Sequence, residues 1–191
     1  MIFATNNKGK LMEIKEILKE YEIYSLKDKN IDIDIIEDED TFYGNAFKKA
    51  KEIYKISGEP VIADDSGLCI TALNGFPGVF THRFLGDNVT DEERNYELIK
   101  RVNNASDRSA RVVCDLVYYD GNSILASEGV LEGRIAREPR GENGFGFDPI
   151  FELETGKTLA EITSEQKNML SARRLAAVDL ANKIKKYSRS K

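Results

Sequence analysis

Two adjacent aspartates, Asp64 and Asp65, stand in the segment VIADDSG at residues 61–67, directly after a run of aliphatic residues. The aliphatic run is typical of a buried strand, so the pattern predicts that both carboxylates lie where this strand ends. A turn is the simpler explanation of the segment when it is taken alone, because Asp, Ser and Gly are common turn residues. The rest of the chain has to decide whether the carboxylates carry chemistry.

A polar segment at the amino terminus, TNNKGK at residues 5–10, precedes apolar residues at helical spacing. The first backbone N–H groups of a helix lack partners within the helix, and together with the helix dipole they favour a bound anion. Lys8 and Lys10 add positive charge to this helix start. A capped surface helix without a ligand is the simpler explanation of this segment when it is taken alone. The segment indicates an anion site only together with other charged groups.

Further polar residues occur where predicted elements begin or end. Asn45 and Lys49 are one helical turn apart at the border of an apolar helix face, and Glu37 follows a strand-like segment. Carboxylate oxygens of Glu37, Asp64 and Asp65 are the hard ligands that hold Mg²⁺ together with substrate phosphates. Acidic groups and lysines at neighbouring element ends therefore indicate a site for a metal-bound triphosphate.

Three other patterns fail on inspection. The GKT at residues 156–158 lacks the glycine that a phosphate-binding loop requires five residues earlier, so a hairpin or loop is expected. GENGFG at residues 141–146 has the wrong glycine order for a dinucleotide fingerprint. The only histidine, His82, suggests a triad with Ser66, but no nucleophile elbow surrounds that serine. For His82 we expect a structural or substrate-edge position.

Composition narrows the class of protein. With 191 residues, 41% hydrophobic content and 4 prolines, the chain is sized for one core, and we expect a single domain over residues 1–191. A formal net charge of −5 argues against binding of a nucleic-acid polymer, which usually requires a basic face. Cys69 and Cys114 lie in apolar, strand-like segments, and we expect them to be buried free thiols of a protein in a reducing compartment. Without a signal peptide or membrane-spanning run, the sequence predicts a cytoplasmic protein without a membrane partner.

The order of predicted elements is an α/β alternation with a mixed sheet. Strands are predicted at residues 1–5, 21–26, 31–36, 61–67, 111–119 and 123–135, the last two joined by a hairpin turn at Asp120 and Gly121. Helices are predicted after residues 5–10, from Thr41 to near Gly58, from Thr90 to about Val102, and after a Ser171 N-cap. These elements place the polar residues above at strand ends and helix starts.

Taken together, these segments resemble the inosine triphosphate/xanthosine triphosphate pyrophosphatase family over essentially the full length of the chain. The motifs that carry the resemblance are TNNKGK followed by Glu13, NAFKKA at residues 45–50, ADDSGL at 63–68 with GFPGVF at 75–80, and GFGFDPIF at 144–151 with KNMLSAR at 167–173. The resemblance implies an elongated mixed β-sheet with flanking helices, two lobes around a central substrate cleft, and a homodimer. It implies hydrolysis of non-standard purine nucleoside triphosphates to the monophosphate and pyrophosphate, with Mg²⁺, or Mn²⁺ as the alternative.

The resemblance also implies roles for individual residues. Thr5, Asn7, Lys10 and Lys49 would hold phosphates, Glu37, Asp64 and Asp65 would bind the metal, and Asp65 would orient or deprotonate the attacking water. Phe145 would stack on the purine. The remaining substrate contacts would come from residues Asn45, Ser66, Phe147, Asp148, Lys167, Ser171 and Arg173. Where the family commonly has Ser-His-Arg, this chain has Ala172 in the middle position, so one base-contacting side chain is absent.

Two rival classes stay open at this stage. One is a related pyrophosphatase acting on a pyrimidine or a modified base, which would release pyrophosphate with a different selectivity. The other is a nucleotide-binding or RNA-associated module without catalysis, which the acidic balance and the mixture of acids and lysines disfavour.

Overall fold

The protein has a mixed α/β fold, described here by a computed structural model for residues 1–86 and 88–190. Its strands are β1 (Ile2–Phe3), β2 (Tyr24–Ser25), β3 (Val61–Ile70), β4 (Ser109–Tyr119), β5 (Ile124–Ile135) and β6 (Phe151–Glu152). Its helices are α1 (Lys8–Ile17), α2 (Phe42–Ser57), α3 (Asp91–Arg101), α4 (Ser164–Leu170) and α5 (Ala172–Arg189). None of the described helices combines the length and apolarity needed to cross a membrane.

The strands form one six-stranded sheet in the order β2-β1-β3-β4-β5-β6. Strand β1 pairs in parallel with β2 and β3, whereas β5 pairs antiparallel with β6. Strands β4 and β5 are neighbours joined only by residues 120–123, a connection too short for a parallel pair. The sheet is therefore mixed, as the sequence predicts.

The chain divides into two compact units. The first unit comprises Met1–Asp65, Cys114–Gly129 and Ala172–Lys191, and the second comprises Ser66–Val113 and Val130–Ser171. The boundary falls within β3, between Asp65 and Ser66, so a single strand contributes residues to both units. The expectation of one functional domain over residues 1–191 stays a prediction.

The core of the first unit joins α2 to one face of the sheet. On the helix, Ala46, Ala50 and Ile53 pack with Val61 and Ala63 of β3. The helix begins at the Thr41 cap, whose side chain accepts from the Gly44 N–H, and ends at Gly58 in the left-handed conformation. Alternate residues of a strand point to the same face, so the packing of residues 61 and 63 fixes the direction of residue 65 as well.

Most predicted elements are confirmed, with two corrections. No strand forms at residues 31–36, although Ile31 and Ile35 do pack against the core of the first unit. Alternation of apolar and polar residues therefore identified the buried side correctly, but it does not supply a pairing partner. The second correction concerns β3, which does not end at the aspartates but continues through them to Ile70.

Gly129 of β5 lies where the sheet and α5 come close together. A Cβ atom at this position would lie 2.0 Å from the Ala172 carbonyl oxygen and 2.7 Å from the Ala176 backbone nitrogen. Both obstacles are helix backbone, so a side chain cannot be accommodated by a rotamer change.

We expect Gly129→Ala to lower the free energy of unfolding by about 1–3 kcal/mol, because the added methyl group forces β5 and α5 apart. Denaturant unfolding of the variant and of the control Glu132→Ala, an exposed residue of the same strand, measures this. Equal stability of the parent and Gly129→Ala would show that the helix moves without cost.

Candidate functional site

The two aspartates of β3 point to opposite faces of the sheet because successive strand residues alternate. Both are buried, Asp64 with 0% and Asp65 with 3% of its surface exposed. Burial of a carboxylate is costly unless cations or hydrogen bonds compensate for it. Each aspartate therefore needs its own set of partners, and the structure supplies two different sets.

Asp64 is the centre of a buried ion-pair network. Its Oδ2 atom lies 3.2 Å from Lys10 Nζ and accepts from Arg173 Nε at 3.2 Å and Nη2 at 3.0 Å. The remaining arm of Arg173 donates to Glu13 of α1. Lys10, Glu13 and Arg173 are all buried, so α1, β3 and α5 are joined by charges without much solvent screening.

This network fixes the charge state of its members. Burial alone would raise the pKa of Asp64, but the positive charges of Lys10, Arg173 and Lys49 outweigh it and hold the pKa below its ordinary value. Burial lowers the pKa of Arg173, but the surrounding groups, of which Asp64 contributes most, together more than reverse the effect. Asp64 is therefore ionised across the physiological pH range, although its Oδ1 atom accepts no hydrogen bond.

Asp65 has a weaker set of partners on the α2 face. Asn45, which is 1% exposed, donates from Nδ2 to Asp65 Oδ2 at 2.9 Å. Burial raises the pKa of Asp65 to about 6, with Lys49 opposing the rise and the nearby Glu37 adding to it. Lys49 itself donates to Glu37. Asp65 is thus a buried carboxylate that has been left short of positive charge.

The donor set around Asp65 fits a divalent cation. Asp65 and Glu37 are hard oxygen donors whose mutual repulsion contributes to the raised pKa, and a cation would relieve that repulsion. Mg²⁺ commonly takes only one or two protein carboxylates and completes its shell with water and substrate phosphates. Among residues 1–86 and 88–190, however, no three acidic, cysteine or histidine side chains form a ready-made metal group, so Glu37, Asp64 and Asp65 are not gathered as three ligands.

The amino-terminal segment is organised by its own side chains. Asn7 caps α1, its Oδ1 accepting from the Gly9 N–H at 2.8 Å and the Lys10 N–H at 3.1 Å. The Thr5 hydroxyl accepts from the Asn7 N–H at 3.2 Å. Lys10 therefore lies in the first turn of the capped helix α1, and its ammonium group extends to Asp64.

The second unit holds a separate cluster around Phe145. Asp148 Oδ2 accepts from the Phe145 N–H at 2.8 Å and from Lys167 Nζ at 2.7 Å. The Lys167 ammonium also lies 4.3 Å from the centroid of the Phe145 ring. Asp148 and Lys167 are buried and Phe145 is half-buried. The lysine thus occupies one face of an aromatic ring, an arrangement stabilised by cation–π attraction.

Three more of the predicted residues belong to the second unit. Phe147 is half-buried, and its ring packs edge-on against Phe151 with centroids 6.5 Å apart. Ser66 and Ser171 are buried, at 7% and 5% exposure. The predicted N-cap position of Ser171 is matched by the start of α5 at Ala172.

Arg173 is the predicted residue whose contacts differ most from expectation. Its guanidinium binds Asp64 and Glu13 in the first unit, and these contacts assign it to the support of β3. Its predicted contact with the base stays a prediction. Ala172, beside it, is 2% exposed and packs in the core.

Two acidic residues of the site received no role in the sequence analysis, although Glu13 is part of the amino-terminal motif. Glu13 lies on the buried side of α1 beside Ile14, and a charge on the apolar side of a helix was the available signal. Asp115 lies in the middle of β4. Burial raises its pKa to about 6, the charges of Glu128 and Asp65 add to the rise, and a hydrogen bond from the Tyr43 backbone opposes it.

Buried carboxylates on a strand, with lysines beside them, are typical of enzymes that bind phosphates together with a divalent cation. Comparison with known proteins identifies the family within this class. The Ham1 family model matches residues 1–183, and the chain belongs to this family.

Individual relatives match over nearly the whole chain. A Thermoanaerobacter sp. (strain X514) protein named dITP/XTP pyrophosphatase is 44% identical over 193 residues, covering 97% of this chain and 96% of the relative. Among solved structures, a HAM1 protein from Coxiella burnetii has a TM-score of 0.88 at 40% identity, and the Staphylococcus aureus Ham1 protein has 0.88 at 36%. Each alignment covers 97% of this chain and 98% of the other.

We expect Asp65→Asn to raise the free energy of unfolding by about 2–3 kcal/mol near pH 8, because it removes a carboxylate whose pKa rises from 3.8 to about 6 on folding. The folded state of the parent binds the proton more tightly, so its stability is complete below the unfolded pKa and is lost as the pH rises through about 6. The advantage of the variant should therefore shrink towards ~pH 4.

Denaturant unfolding of the metal-free proteins at both pH values measures this effect, with Asp32→Asn, at an exposed site, as the matched control. Asparagine can still accept from Asn45, so packing is preserved. A variant no more stable than the parent near pH 8 would contradict a raised pKa at Asp65.

We expect Arg173→Ala to lower the free energy of unfolding by about 3–5 kcal/mol, because it removes the guanidinium that binds the buried carboxylates of both Glu13 and Asp64. Adding Glu13→Gln should recover part of the loss. Arg189→Ala, at an exposed site of the same helix, is the control. If Arg173 acted mainly on the base, its removal would change substrate preference and leave stability intact.

Proposed function

We propose that this chain hydrolyses non-standard purine nucleoside triphosphates, such as dITP, ITP and XTP, to the monophosphate and pyrophosphate. The observation that carries the proposal is the environment of Asp65, a buried carboxylate with a raised pKa beside Asn45, Glu37 and Lys49. The names of the relatives, dITP/XTP pyrophosphatase, support the purine substrates. Such an activity removes deaminated purines from the nucleotide pool.

The phosphates are bound by lysines and by the start of α1. Lys10 and Lys49 supply fixed positive charge, and Thr5 and Asn7 shape the segment that leads into the helix. A triphosphate repels an incoming nucleophile, so neutralisation of its charge accelerates the attack. The two lysines therefore act in catalysis as well as in binding.

Glu37 and Asp65 hold Mg²⁺, for which Mn²⁺ is a substitute, and the bound cation supplies Lewis acidity and charge neutralisation at the phosphates. Asp64 is next to Asp65 in sequence, but its ion pairs with Lys10 and Arg173 already compensate its charge. We therefore assign Asp64 to holding Lys10 and β3 in place, with a secondary role at most in binding metal.

Asp65 accepts a proton from the attacking water. In the metal-free protein the pKa of Asp65 is about 6, so the side chain is largely ionised above neutral pH and is able to accept a proton. The water oxygen forms a bond to the α-phosphorus, the bond from that phosphorus to the bridging oxygen breaks, and pyrophosphate leaves with the electron pair. Asn45 keeps the carboxylate oriented during this step.

The base is bound by residues of the Phe145 cluster. Lys167 lies over one face of Phe145, so we propose that the purine stacks on the opposite face. Inosine and xanthosine present a 6-oxo acceptor that pairs with a donor, whereas adenosine presents an amino group there. The remaining base and sugar contacts are proposed for Ser66, Phe147, Asp148, Lys167, Ser171 and Arg173.

The cellular setting is part of the proposal. Cys69 and Cys114 are both free thiols, which supports a reducing compartment such as the cytoplasm. We propose a homodimer on the family resemblance, and sedimentation equilibrium tests it. No nucleic-acid polymer is proposed as a partner, because the net charge is −5.

The decisive experiment is pyrophosphate release from a panel of triphosphates containing dITP, XTP, dATP, dGTP and dCTP. We expect turnover of dITP and XTP to exceed that of the others, to stop in chelator, and to fall by about 10²-fold or more in Asp65→Asn while nucleotide binding persists. Asp32→Asn, at an exposed site, serves as the control.

Hydrolysis in ¹⁸O-labelled water fixes the site of attack, since label should appear in the monophosphate and not in pyrophosphate. Release of orthophosphate with a diphosphate product would contradict the proposal. Preferred turnover of dCTP would favour the rival pyrophosphatase that acts on another base, and binding without turnover would favour a nucleotide-binding module.

A further inference from the structure

The backbone around Phe145 adopts conformations that only glycine accepts readily. Gly144 has a φ of +79° and Gly146 a φ of +63°, so left-handed residues flank the aromatic ring on both sides. Such a segment has many accessible conformations when it is unfolded, and ordering it is entropically costly. The position of Phe145 therefore depends on contacts that hold the loop.

One set of contacts comes from within the loop itself. Asp148 accepts from the Phe145 N–H, and the Asp148 N–H donates back to the Phe145 carbonyl at 3.2 Å. The side chain of Asp148 also fills the space beside Gly144, where a Cβ would lie 2.0 Å from its Oδ2 atom. These bonds define the amino-terminal side of the loop and leave Gly146 to be held by another element.

The contact at Gly146 comes from α3. Asn95 donates from Nδ2 to the Gly146 carbonyl oxygen at 2.9 Å, and Asn95 is only 4% exposed. The orientation of its amide is determined by chemistry, because a carbonyl can only accept. The helix is a firm support, since Thr90 and Glu93 form a capping box at its start and the Arg94 side chain donates to two backbone carbonyls of the preceding segment.

Open space lies beside the same loop. A cavity of about 340 Å³ is bordered by Gly144, Phe145 and Gly146 on one side and by Asp91, Glu92 and Asn95 of α3 on the other. Because side chains do not fill this volume, packing provides little resistance to a displacement of the loop towards α3. On this side the loop is restrained by the directional hydrogen bond from Asn95 and not by side-chain packing.

We propose that Asn95 is a positioning residue for base recognition, which fixes Gly146 and thereby the ring of Phe145 without touching the substrate. The inference rests on the proposed stacking of the purine on Phe145. A loop that is not held in place must be ordered when the nucleotide binds, and the cost appears as weaker binding of the base. The chemistry at the phosphates, which depends on first-unit residues, should change little.

The test compares Asn95→Ala and Asn95→Asp with the parent enzyme on dITP. Asparagine and aspartate have nearly the same shape, but aspartate lacks the N–H donor, so Asn95→Asp creates no cavity and replaces the bond with repulsion between a carboxylate and the Gly146 carbonyl oxygen. We expect KM for dITP to rise about three- to tenfold in both variants, with kcat changed by less than about twofold. Asn103→Ala, the same substitution at an exposed residue just beyond α3, should match the parent.

Inorganic tripolyphosphate provides a second readout because it has no base. Its inhibition constant should be unchanged in both Asn95 variants. An equal weakening of dITP and tripolyphosphate, or an Asn95→Asp enzyme with the parent KM, would overturn the role of Asn95. If the parent enzyme does not hydrolyse dITP, the proposed function fails. If the parent hydrolyses dITP and the Asn95 variants do so with the same KM, only the role of Asn95 fails.

Discussion

The burial of β3 on both faces is the constraint from which the rest of the site follows. Adjacent residues of a strand point in opposite directions, so Asp64 and Asp65 have different hydrogen-bond and ion-pair partners, although the charge of Lys49 acts on both. The side of Asp64 is served by Lys10 and Arg173, and the side of Asp65 by Asn45 with Lys49 nearby. The alternation of the strand thus gives the two aspartates different surroundings, which fits a structural role for Asp64 and the proposed reactive role for Asp65.

The two carboxylates differ in how completely their charge is compensated. Cations lower the pKa of Asp64 despite its burial, whereas burial and Glu37 raise the pKa of Asp65 to about 6. A fully compensated carboxylate stabilises the fold but is a poor base, and an incompletely compensated one is a better base that weakens the fold. The ion pairs of Asp64 help to hold β3 in place, and the strand therefore tolerates the destabilisation caused by Asp65.

Sequence reasoning found most of the elements because their signals are local. The Thr41 and Thr90 caps and the apolar spacing of α2 are read within a few residues. The end of β3 was predicted too early, within residues 64–67 instead of at Ile70, because the compensating partner of Asp64, Arg173, is 109 residues away and gives no local signal. Asn95 was missed for the same reason, since its carbonyl partner is 51 residues away. Long-range compensation, more than local propensity, decides where a buried charge is tolerated.

Phosphate chemistry and base selection make different physical demands, and the chain meets them with different kinds of contact. Every nucleoside triphosphate carries the same phosphates, so the residues proposed to act there, Lys10, Lys49 and Asp65, cannot by themselves distinguish one base from another. Discrimination requires contacts made only by the base. In this chain those contacts are proposed for a glycine-flanked loop ordered by directional hydrogen bonds from Asp148 and Asn95. Because such bonds specify the position of Phe145 without adding charge, selectivity can be altered there while the electrostatics that drive hydrolysis stay intact.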